Sequence, residues 1–317
     1  MPEPMIPDRS IPTNVEGLVV RTESGFHRVQ AGDLTIVSRA PKRLLNYERT
    51  TTTAVVIGDR VRVQVLPDGT GVVQEILPRA NELVRGAAGG SRFLDVIAAN
   101  LDVMVVVHSL REPAFNPARL DRFLVLAEAA EIPAEIVLNK LDLEDPCTAE
   151  SIARTYRTIG YPVILTCTKS GQGVEEFRAS MTGRMSALIG PSGVGKSSLL
   201  NAVQPGLRLR IGEISESTGK GRHTTTTAAL LALDGGGYVA DTPGLRELAI
   251  REVDPDEAGW LFREFRPFLP LCKFSNCTHR FETGCAVRAA LDEGKIDRER
   301  YQSYLRIFED VSEQSRR

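Results

Sequence analysis

The residues with the clearest chemical meaning form a glycine-rich loop between positions 190 and 197, with the sequence GPSGVGKS. The spacing G-x-x-x-x-G-K-[ST] is that of a phosphate-binding loop, and here a predicted strand enters it and a predicted helix leaves it. Glycine lets backbone N–H groups turn towards a phosphate, and the helix N-terminus adds a favourable dipole. We therefore expect a nucleoside triphosphate, with Lys196 on its β- and γ-phosphates and the Ser197 hydroxyl on Mg²⁺. The predicted nucleotide contacts of this loop are Gly190, Pro191, Ser192, Gly193, Val194, Gly195, Lys196, Ser197 and Ser198.

A second motif, Asp241-Thr-Pro-Gly244, follows a short predicted strand downstream of the loop. An aspartate in that position is expected to hold Mg²⁺, directly or through water, and the Gly244 N–H is expected to face the γ-phosphate. Alone, D-x-x-G usually marks a turn, so its distance from the loop is what supports the assignment.

Base selection is predicted for Asn139-Lys-Leu-Asp142, which follows a predicted buried strand. The Asp142 carboxylate can accept from N1–H and the exocyclic amine of guanine, which selects GTP over ATP. Asn139 is expected at the other edge of the base, and the stem of Lys140 over its face. The carboxyl ends of strands are where α/β sheets bind ligands. The next predicted strand ends in the segment TCTKS, residues 166–170, which is predicted to offer a backbone N–H to the guanine O6. Thr166 and Cys167 are its predicted nucleotide contacts.

The polar segment 217–227 carries the residues expected to complete catalysis. It is rich in glycine and lacks apolar periodicity, which predicts a mobile loop corresponding to switch I of GTPases. Thr225 is the first choice for the threonine that closes on Mg²⁺ and the γ-phosphate, and Thr226 is the second. Leu245 stands where Ras-like enzymes carry the glutamine that orients water. We therefore hypothesise that His223 orients the water, the alternative being a solvated histidine or a nucleic-acid contact.

Four potential metal ligands lie close together in the chain: Cys272, Cys277, His279 and Cys285. The spacing C-x4-C-x-H-x5-C offers three thiolates and one imidazole, a closed tetrahedral set that predicts one structural zinc ion. The alternative is a group of buried free cysteines beside a surface histidine. Cys147 and Cys167 stand apart and are expected to be ordinary core or loop residues.

Two kinds of element must position these residues. Between residues 16 and 77 the chain shows several short strands, one of which alternates valine with arginine or glutamine, and this favours a small barrel with the OB-fold as a candidate. After residue 102, apolar strands alternate with helices, which predicts a parallel α/β sheet. The strands are predicted at 102–108, 135–138, 162–166 and 185–189, and the helices at 117–130, 149–159, 174–181 and 196–203.

Length and composition limit the class of protein. The chain has 317 residues, too many for one small domain, and its 42% hydrophobic and 25% charged residues are ordinary for a soluble globular protein. No apolar run approaches the ~20 residues of a membrane helix, and the N-terminus has no signal core, so we expect a cytoplasmic protein. The net charge of −2 gives no global basic field, so RNA contacts must come from local patches.

The order of the motifs differs from that of Ras-like GTPases. There the phosphate-binding loop comes first and N-K-x-D fourth, whereas here N-K-x-D precedes the loop. A circularly permuted chain can build the same sheet when the original termini lie close together. As a consequence, D-T-P-G leads directly into the C-terminal module, and a γ-phosphate-dependent movement at Gly244 would act on that module.

Together these motifs closely resemble one family, the ribosome small-subunit-dependent GTPase A (YjeQ/RsgA) family, from about residue 14 to 310. The resemblance rests on residues 97–102, 139–142, 190–198, 221–226, 241–247 and 272–285. It implies an OB-fold, a circularly permuted α/β GTPase domain, and a C-terminal zinc domain with helices. The predicted limits are 1–13 for a disordered N-terminus, 14–80, 81–250 and 251–317. The resemblance further implies a partner, the 30S ribosomal subunit with its rRNA, which is bound late in its maturation and stimulates GTP hydrolysis. We expect a monomer.

Two other interpretations stay open. The first is a GTPase that acts away from the ribosome, as a metal-trafficking or signalling switch. The second is a nucleotide-gated RNA-binding protein with slow hydrolysis, which Leu245 favours. Local cations such as Lys273 and Arg280 are compatible with RNA and equally with a solvated face. The barrel segment has only Phe26 and Tyr47 as aromatic residues, so backbone contacts to RNA are expected there rather than base stacking.

Overall fold

The computed structural model describes residues 14–45, 55–86, 94–207, 228–242 and 255–315 of the chain. The predictions for residues 1–13, for switch I with His223, Thr225 and Thr226, and for Gly244 and Leu245 lie outside these ranges. Three bodies follow one another along the chain: a barrel, an α/β sheet and a small C-terminal module.

The N-terminal body is a closed five-stranded barrel. Its strands are β1 Asn14–Glu23, β2 Phe26–Ala31, β3 Leu34–Arg39, β4 Arg60–Val65 and β5 Gly71–Ile76, with one helical turn, α1 Lys42–Leu45, after β3. They pair in the order β1-β2-β3-β5-β4, and β4 pairs again with β1, which closes the ring. As the alternation predicted, Val61, Val63 and Val65 face the interior. This closed arrangement confirms the predicted OB-fold.

The central body is an α/β sheet with helices on both faces, entered through a hairpin of β6 Glu82–Gly86 and β7 Leu94–Ala99. Its strands are β8 Val103–Ser109, β9 Ala134–Asn139, β10 Val163–Leu165, β11 Met185–Ile189, β12 Ala228–Ala232 and β13 Tyr238–Asp241. Its helices are α2 Pro117–Ala129, α3 Pro146–Ile159, α4 Val174–Met181 and α5 Lys196–Val203. The strand order is β10-β9-β8-β11-β13-β12, and the first five of these strands run parallel. The predicted parallel α/β sheet is therefore confirmed.

Burial on both faces explains the continuous apolar run of β8. Val105 and Val107 belong to the core on the side of α4 and α5, while Met104 and Val106 belong to the core on the side of α2 and α3. A strand covered by helices on both faces has no wet side, so it shows no alternation of polar and apolar residues.

Side-chain caps explain where two helices begin. Asn116 and Asp145 each accept a hydrogen bond from a backbone N–H in the first turn of the following helix, and proline stands next in both cases. The cap at Asp145 places the start of α3 at Pro146, earlier than the predicted residue 149. The helix ends at Gly160, whose φ of 97° is a left-handed conformation that glycine adopts without strain.

The barrel and the α/β sheet share one continuous set of strands. β1 pairs with β12 through Arg21–Ala229 and Thr22–Ala228. Ile57, from the loop before β4, is fully buried in the core of the α/β sheet. The barrel is therefore docked at the β12 edge by backbone pairing and by an inserted apolar side chain.

The C-terminal body contains 3₁₀ turns at Pro255–Leu261, Arg263–Phe265 and Leu269–Leu271 and two helices, α6 Ala286–Asp292 and α7 Arg298–Ser315. Its core contains Phe262 and Phe265 and packs against Val125 and Leu126 of α2. This contact fixes the module on the helix that follows β8.

The predicted domain limits stay predictions. The limit at residues 80/81 falls in the connection between β5 and β6, and the limit at 250/251 lies outside the described residues. None of the helices in the described ranges is long and apolar enough to cross a membrane.

Candidate nucleotide and metal sites

Four motifs meet at the edge where the parallel strands end. The phosphate-binding loop follows β11, the Asn139–Asp142 motif follows β9, the TCTKS segment follows β10, and Asp241 ends β13. Backbone pairing keeps these ends level, because β8 pairs with both β9 and β11, and β11 pairs with β13. This is the edge at which α/β sheets bind ligands. The permuted order of the chain has therefore preserved the common position of the motifs.

The shape of the phosphate-binding loop depends on glycine. Gly190 has a φ of 143°, and a Cβ there would lie 2.1 Å from the carbonyl oxygen of Val107 in β8. Gly195, which precedes α5, has a φ of 97°. The Lys196 ammonium donates to the carbonyl groups of Gly190 at 2.6 Å and Pro191 at 2.7 Å. The lysine is therefore held at the backbone of the loop, beside the N-terminus of α5.

Asn139 ties three motifs together from a buried position. Its Nδ2 donates to the Val194 carbonyl at 2.9 Å, and its Oδ1 accepts from the Thr166 hydroxyl at 3.1 Å. The residue is only 1% exposed, and a Cβ on Gly195 would lie 2.3 Å from its Nδ2. One N–H of this amide and its oxygen bond within the protein, so Asn139 joins the phosphate-binding loop to the TCTKS segment. Its contact with the edge of the base stays a prediction.

Asp142 lies exposed at the same edge and is oriented by two neighbours. The Lys169 ammonium lies 2.8 Å from its Oδ2, and the Cys167 thiol donates to its Oδ1 at 3.3 Å. The hydrogen bond from Lys169 lowers the pKa of Asp142 below its ordinary value. The carboxylate is therefore ionised at neutral pH, the form that can accept two N–H groups of guanine. Lys169 was not singled out from the sequence, although it lies in the TCTKS segment.

The backbone amides of that segment differ in what they can still bind. The Thr166 N–H donates to the Leu138 carbonyl and the Cys167 N–H to the Gln172 carbonyl, each at 2.9 Å. The Thr168 N–H makes no hydrogen bond within the described residues. The amides of Thr166 and Cys167 are thus already bonded, and Thr168 carries the next amide of the same segment. The donation from this segment to the guanine O6 stays a prediction.

A segment that the sequence did not point to, residues 110–116 between β8 and α2, packs over two of the motifs. The Glu112 carbonyl accepts a hydrogen bond from the Lys140 ammonium. Pro113 lies beside the phosphate-binding loop, since a Cβ on Gly193 would be 3.6 Å from its Cδ. The segment has no recognisable motif, and only the fold brings it to the site.

The magnesium ligands predicted within the described residues are Ser197 and Asp241. Ser197 is exposed in the first turn of α5, and Asp241 is the last residue of β13. Because Ala187 of β11 pairs with Ala240 of β13, Asp241 lies next to the strand that leads into the loop. Ser197 therefore lies on the helix that follows β11, and Asp241 lies at the end of the strand beside β11. The third predicted ligand, Thr225, lies outside the described residues.

The fold brings the Cys/His set together. The ligand atoms of Cys272, Cys277, His279 and Cys285 all lie within 4.8 Å of one another. The Sγ atoms of Cys272 and Cys285 are each 3.5 Å from the Nδ1 of His279. For zinc bonds of about 2.3 Å to sulfur and 2.0–2.1 Å to nitrogen, a tetrahedron has sulfur–nitrogen edges of about 3.6 Å. The donor set and its spacing therefore fit one tetrahedral metal ion coordinated through Nδ1.

Burial shifts the pKa values of the thiols and of the imidazole at this cluster. Burial raises the pKa of the Cys277 thiol to about 12 and raises that of Cys285 as well. These thiols ionise at neutral pH only when a nearby cation compensates the charge. Burial lowers the pKa of His279, which keeps the imidazole in its neutral, metal-binding form.

Hydrogen bonds from α7 hold the loops of the cluster in place. The hydroxyl groups of Tyr301 and Tyr304 donate to the carbonyl groups of His279 and Thr278, each at 2.7 Å. Glu282 accepts hydrogen bonds from the Thr278 hydroxyl and from backbone N–H groups of the loop, and these bonds outweigh its burial and lower its pKa to about 2. The cluster is thus built into the core of the C-terminal body.

Comparison with known proteins agrees with this architecture. The model of the RsgA GTPase family matches residues 76–251. A relative from Gemmatimonas aurantiaca, named small ribosomal subunit biogenesis GTPase RsgA, is 39% identical over 301 residues, which cover 94% of this chain and 98% of the relative. A relative of the same name from Caldanaerobacter subterraneus is 39% identical over 303 residues, covering 96% and 98%.

Solved structures give the same result for the fold. YjeQ from Thermotoga maritima superposes with a TM-score of 0.77 at 33% identity, covering 94% of this chain and 98% of that one. YloQ, described as a circularly permuted GTPase, superposes with a TM-score of 0.75 at 30% identity, covering 98% and 99%. Since the family model matches more than half of the chain and relatives match nearly all of it, the chain belongs to the RsgA family of circularly permuted GTPases.

Proposed function

We propose that this protein hydrolyses GTP to GDP and phosphate during late maturation of the 30S ribosomal subunit, and that the subunit stimulates the hydrolysis. The observation that carries the proposal is the meeting of four nucleotide motifs at one edge of the permuted sheet. The name of the 39% identical relatives, small ribosomal subunit biogenesis GTPase, supports the ribosomal part.

Guanine selection is assigned to the exposed carboxylate of Asp142. It accepts from N1–H and from the exocyclic amine, while the stem of Lys140 covers a face of the base. The Thr168 N–H is the proposed donor to O6, because the amides of Thr166 and Cys167 are already bonded. Thr166 and Cys167 contribute through their side chains, which hold the base-selecting residues in place.

Phosphate binding is assigned to the loop from Gly190 to Ser198. Its N–H groups surround the phosphates, and Lys196 neutralises the charge that grows on them as the γ-phosphate leaves. Mg²⁺, when bound, supplies further charge neutralisation at the β- and γ-phosphates. Its proposed ligands are Ser197, Asp241 and Thr225, and the Gly244 N–H is proposed to contact the γ-phosphate.

His223 is proposed to orient the attacking water, since Leu245 has no group that can do so. Replacing His223 with alanine is expected to lower kcat in the presence of 30S subunits by ~100-fold, with little change in KM. The measurement is steady-state phosphate release at saturating subunit concentration. An unchanged kcat would exclude this role and leave His223 as a loop or RNA contact.

The C-terminal cluster is proposed to hold one structural Zn²⁺ through Cys272, Cys277, His279 and Cys285. All four tetrahedral positions are taken by protein atoms, so the ion supports the fold and leaves no open site for chemistry. A protein that works on 30S subunits acts in the cytoplasm, and we propose that it does so as a monomer.

The deciding experiment is steady-state GTP hydrolysis by the purified protein at matched low salt, alone, with 30S and with 50S subunits. Strong stimulation by 30S and none by 50S is expected, and Lys196→Ala should abolish hydrolysis in every case. Absence of stimulation with GTP binding intact would remove the ribosomal assignment. RNA binding that depends on the nucleotide but proceeds without turnover would favour the second candidate, an RNA-binding switch with slow hydrolysis.

A further inference from the structure

The loops that carry the Cys/His cluster expose large apolar side chains. Leu271 is 69% exposed, Phe274 45% and Phe281 72%. Lys273 and Arg280 stand beside the two rings in the sequence, and we call these five residues the aromatic patch. The Lys273 N–H donates to the Gly284 carbonyl at 3.1 Å, which keeps the segments around Cys272 and Cys285 adjacent. Large apolar side chains that stay exposed within the short stretch 271–281 are candidates for a binding surface.

The aromatic patch carries positive charge. The Lys273 ammonium lies 5.4 Å from the centre of the Phe274 ring, and the Arg280 guanidinium carbon lies 5.4 Å from the centre of the Phe281 ring. Glu282 is the single acidic residue between positions 271 and 285. Its carboxylate accepts hydrogen bonds from backbone N–H groups of its own loop. Residues 271–285 therefore carry two cations and no exposed carboxylate, although the protein as a whole has a net charge of −2.

Exposed rings beside cations suit single-stranded RNA. Every base can stack on an aromatic ring, and a neighbouring cation can contact the phosphate that follows. Arg280 also lies 3.7 Å from Glu309 of α7, which limits the positions that its side chain takes. We propose that the aromatic patch binds unpaired bases of RNA, with Phe274 and Phe281 stacking on bases and Lys273 and Arg280 contacting phosphates. The further step, that this RNA is rRNA of the small subunit, rests on the proposed function.

The test uses the full-length, zinc-loaded protein and a fluorescent oligouridylate of about 12 nucleotides, a length within the range that stacking proteins bind. The double variant Phe274→Leu/Phe281→Leu keeps apolar side chains but removes both rings. Its affinity is expected to fall ~10-fold per ring, about 100-fold in all. Lys273→Ala should lower the slope of log affinity against log salt by about 0.7, while the leucine variant leaves that slope unchanged. Trp260→Ala, which removes an exposed ring of the same module outside the patch, should bind like the wild type.

Both rings are exposed, so the leucine variant should keep its zinc content and its basal GTP hydrolysis. Wild-type affinity in that variant, or no binding of the oligonucleotide by the wild type, would overturn the proposal. Weaker binding to 30S subunits with unchanged oligonucleotide binding would assign the patch to a protein partner and also overturn it. Stimulation of wild-type hydrolysis by 30S is measured separately, so a failure of the ribosomal assignment is distinguished from a failure of the patch.

Discussion

At the residue scale, burial decides which side chains of the base-selecting motif are available to a ligand. Asn139 is buried, and a buried amide must have hydrogen-bond partners, which it finds in Val194 and Thr166. Asp142 is exposed, so exchanging its contact with Lys169 for a contact with guanine costs little. We therefore propose different roles for two residues of one motif, the first in holding the site together and the second in recognition.

Asp142→Asn tests this division of roles. The amide keeps the size of the side chain but replaces one acceptor oxygen with a donor, which cannot accept from the guanine amine. GTP affinity is expected to fall by ~10–100-fold, equivalent to a lost hydrogen bond to a charged group of about 1.5–3 kcal/mol. XTP, which carries an oxygen in place of that amine, should gain affinity relative to GTP. Titrations with fluorescent nucleotides measure both changes.

Asp145→Asn is the matched control, because Asp145 only caps α3 and asparagine caps a helix equally well. It should leave GTP affinity and the preference over XTP unchanged. If both variants changed nucleotide preference alike, Asp142 would have no special role in recognition.

At the element scale, a buried cluster of charges joins α2, α3 and the C-terminal body. Arg300 of α7 is 1% exposed and donates to Asp121 of α2 at 2.7 Å and to Glu264 at 2.6 Å. The Tyr156 hydroxyl of α3 also donates to Asp121, at 2.9 Å. Burial raises the pKa of Asp121 despite the opposing effect of Arg300. Such a cluster tolerates poorly the loss of a single member.

Arg300→Met should therefore destabilise the C-terminal body by about 3–5 kcal/mol, since it leaves two buried carboxylates without their cation. Adding Asp121→Leu should recover much of the loss, because an apolar pair avoids the uncompensated charge. Arg122→Met is the control: Arg122 pairs with Asp310 at the surface, and removing it should cost less than about 1 kcal/mol. Urea unfolding followed by fluorescence of Trp260, the single tryptophan, measures all three. Equal midpoints for Arg300→Met and Arg122→Met would contradict the prediction.

An element could be predicted when its own stretch of sequence carries the signal, and not when its pairing partners determine it. β11, α4 and α5 were predicted with their observed limits, because each shows its own apolar periodicity and follows or precedes a motif. The strand β12, with the sequence AALLA, was not predicted, since alanine and leucine favour helix. It is a strand because two strands pair with its edges: β13, which follows it in a hairpin, and β1, which lies far away near the N-terminus.

The candidate sites follow the same rule. The phosphate-binding loop and the Cys/His set could be predicted because each occupies one short stretch of sequence. The contact of Glu112 with Lys140 and that of Lys169 with Asp142 could not, because each joins separate loops that only the sheet brings together.

At the scale of the whole molecule, each of the three bodies has an apolar core of its own, and the C-terminal core extends onto α2. The barrel core, the two cores of the α/β sheet and the C-terminal core are distinct groups of buried side chains. The barrel is attached through the β1–β12 pairing, and the C-terminal body through α2. Loss of structure in one body should therefore leave the others folded.

Removal of the metal ion tests this independence. A chelator should unfold the loops between Cys272 and Cys285, because the metal–ligand bonds that hold the four side chains together are lost. Trp260 fluorescence and resistance to protease should change together in the C-terminal body, while GTP affinity stays within about 3-fold, since no residue of the nucleotide site belongs to that core. Cys277→Ser should reproduce the effect and lower the metal content below one ion per chain, whereas Cys147→Ser, at an exposed thiol of α3, should do neither. If chelation abolished GTP binding to the same extent as it unfolded the loops, the three bodies would have to be a single cooperative unit, and the contact between α2 and the C-terminal body would be its connection.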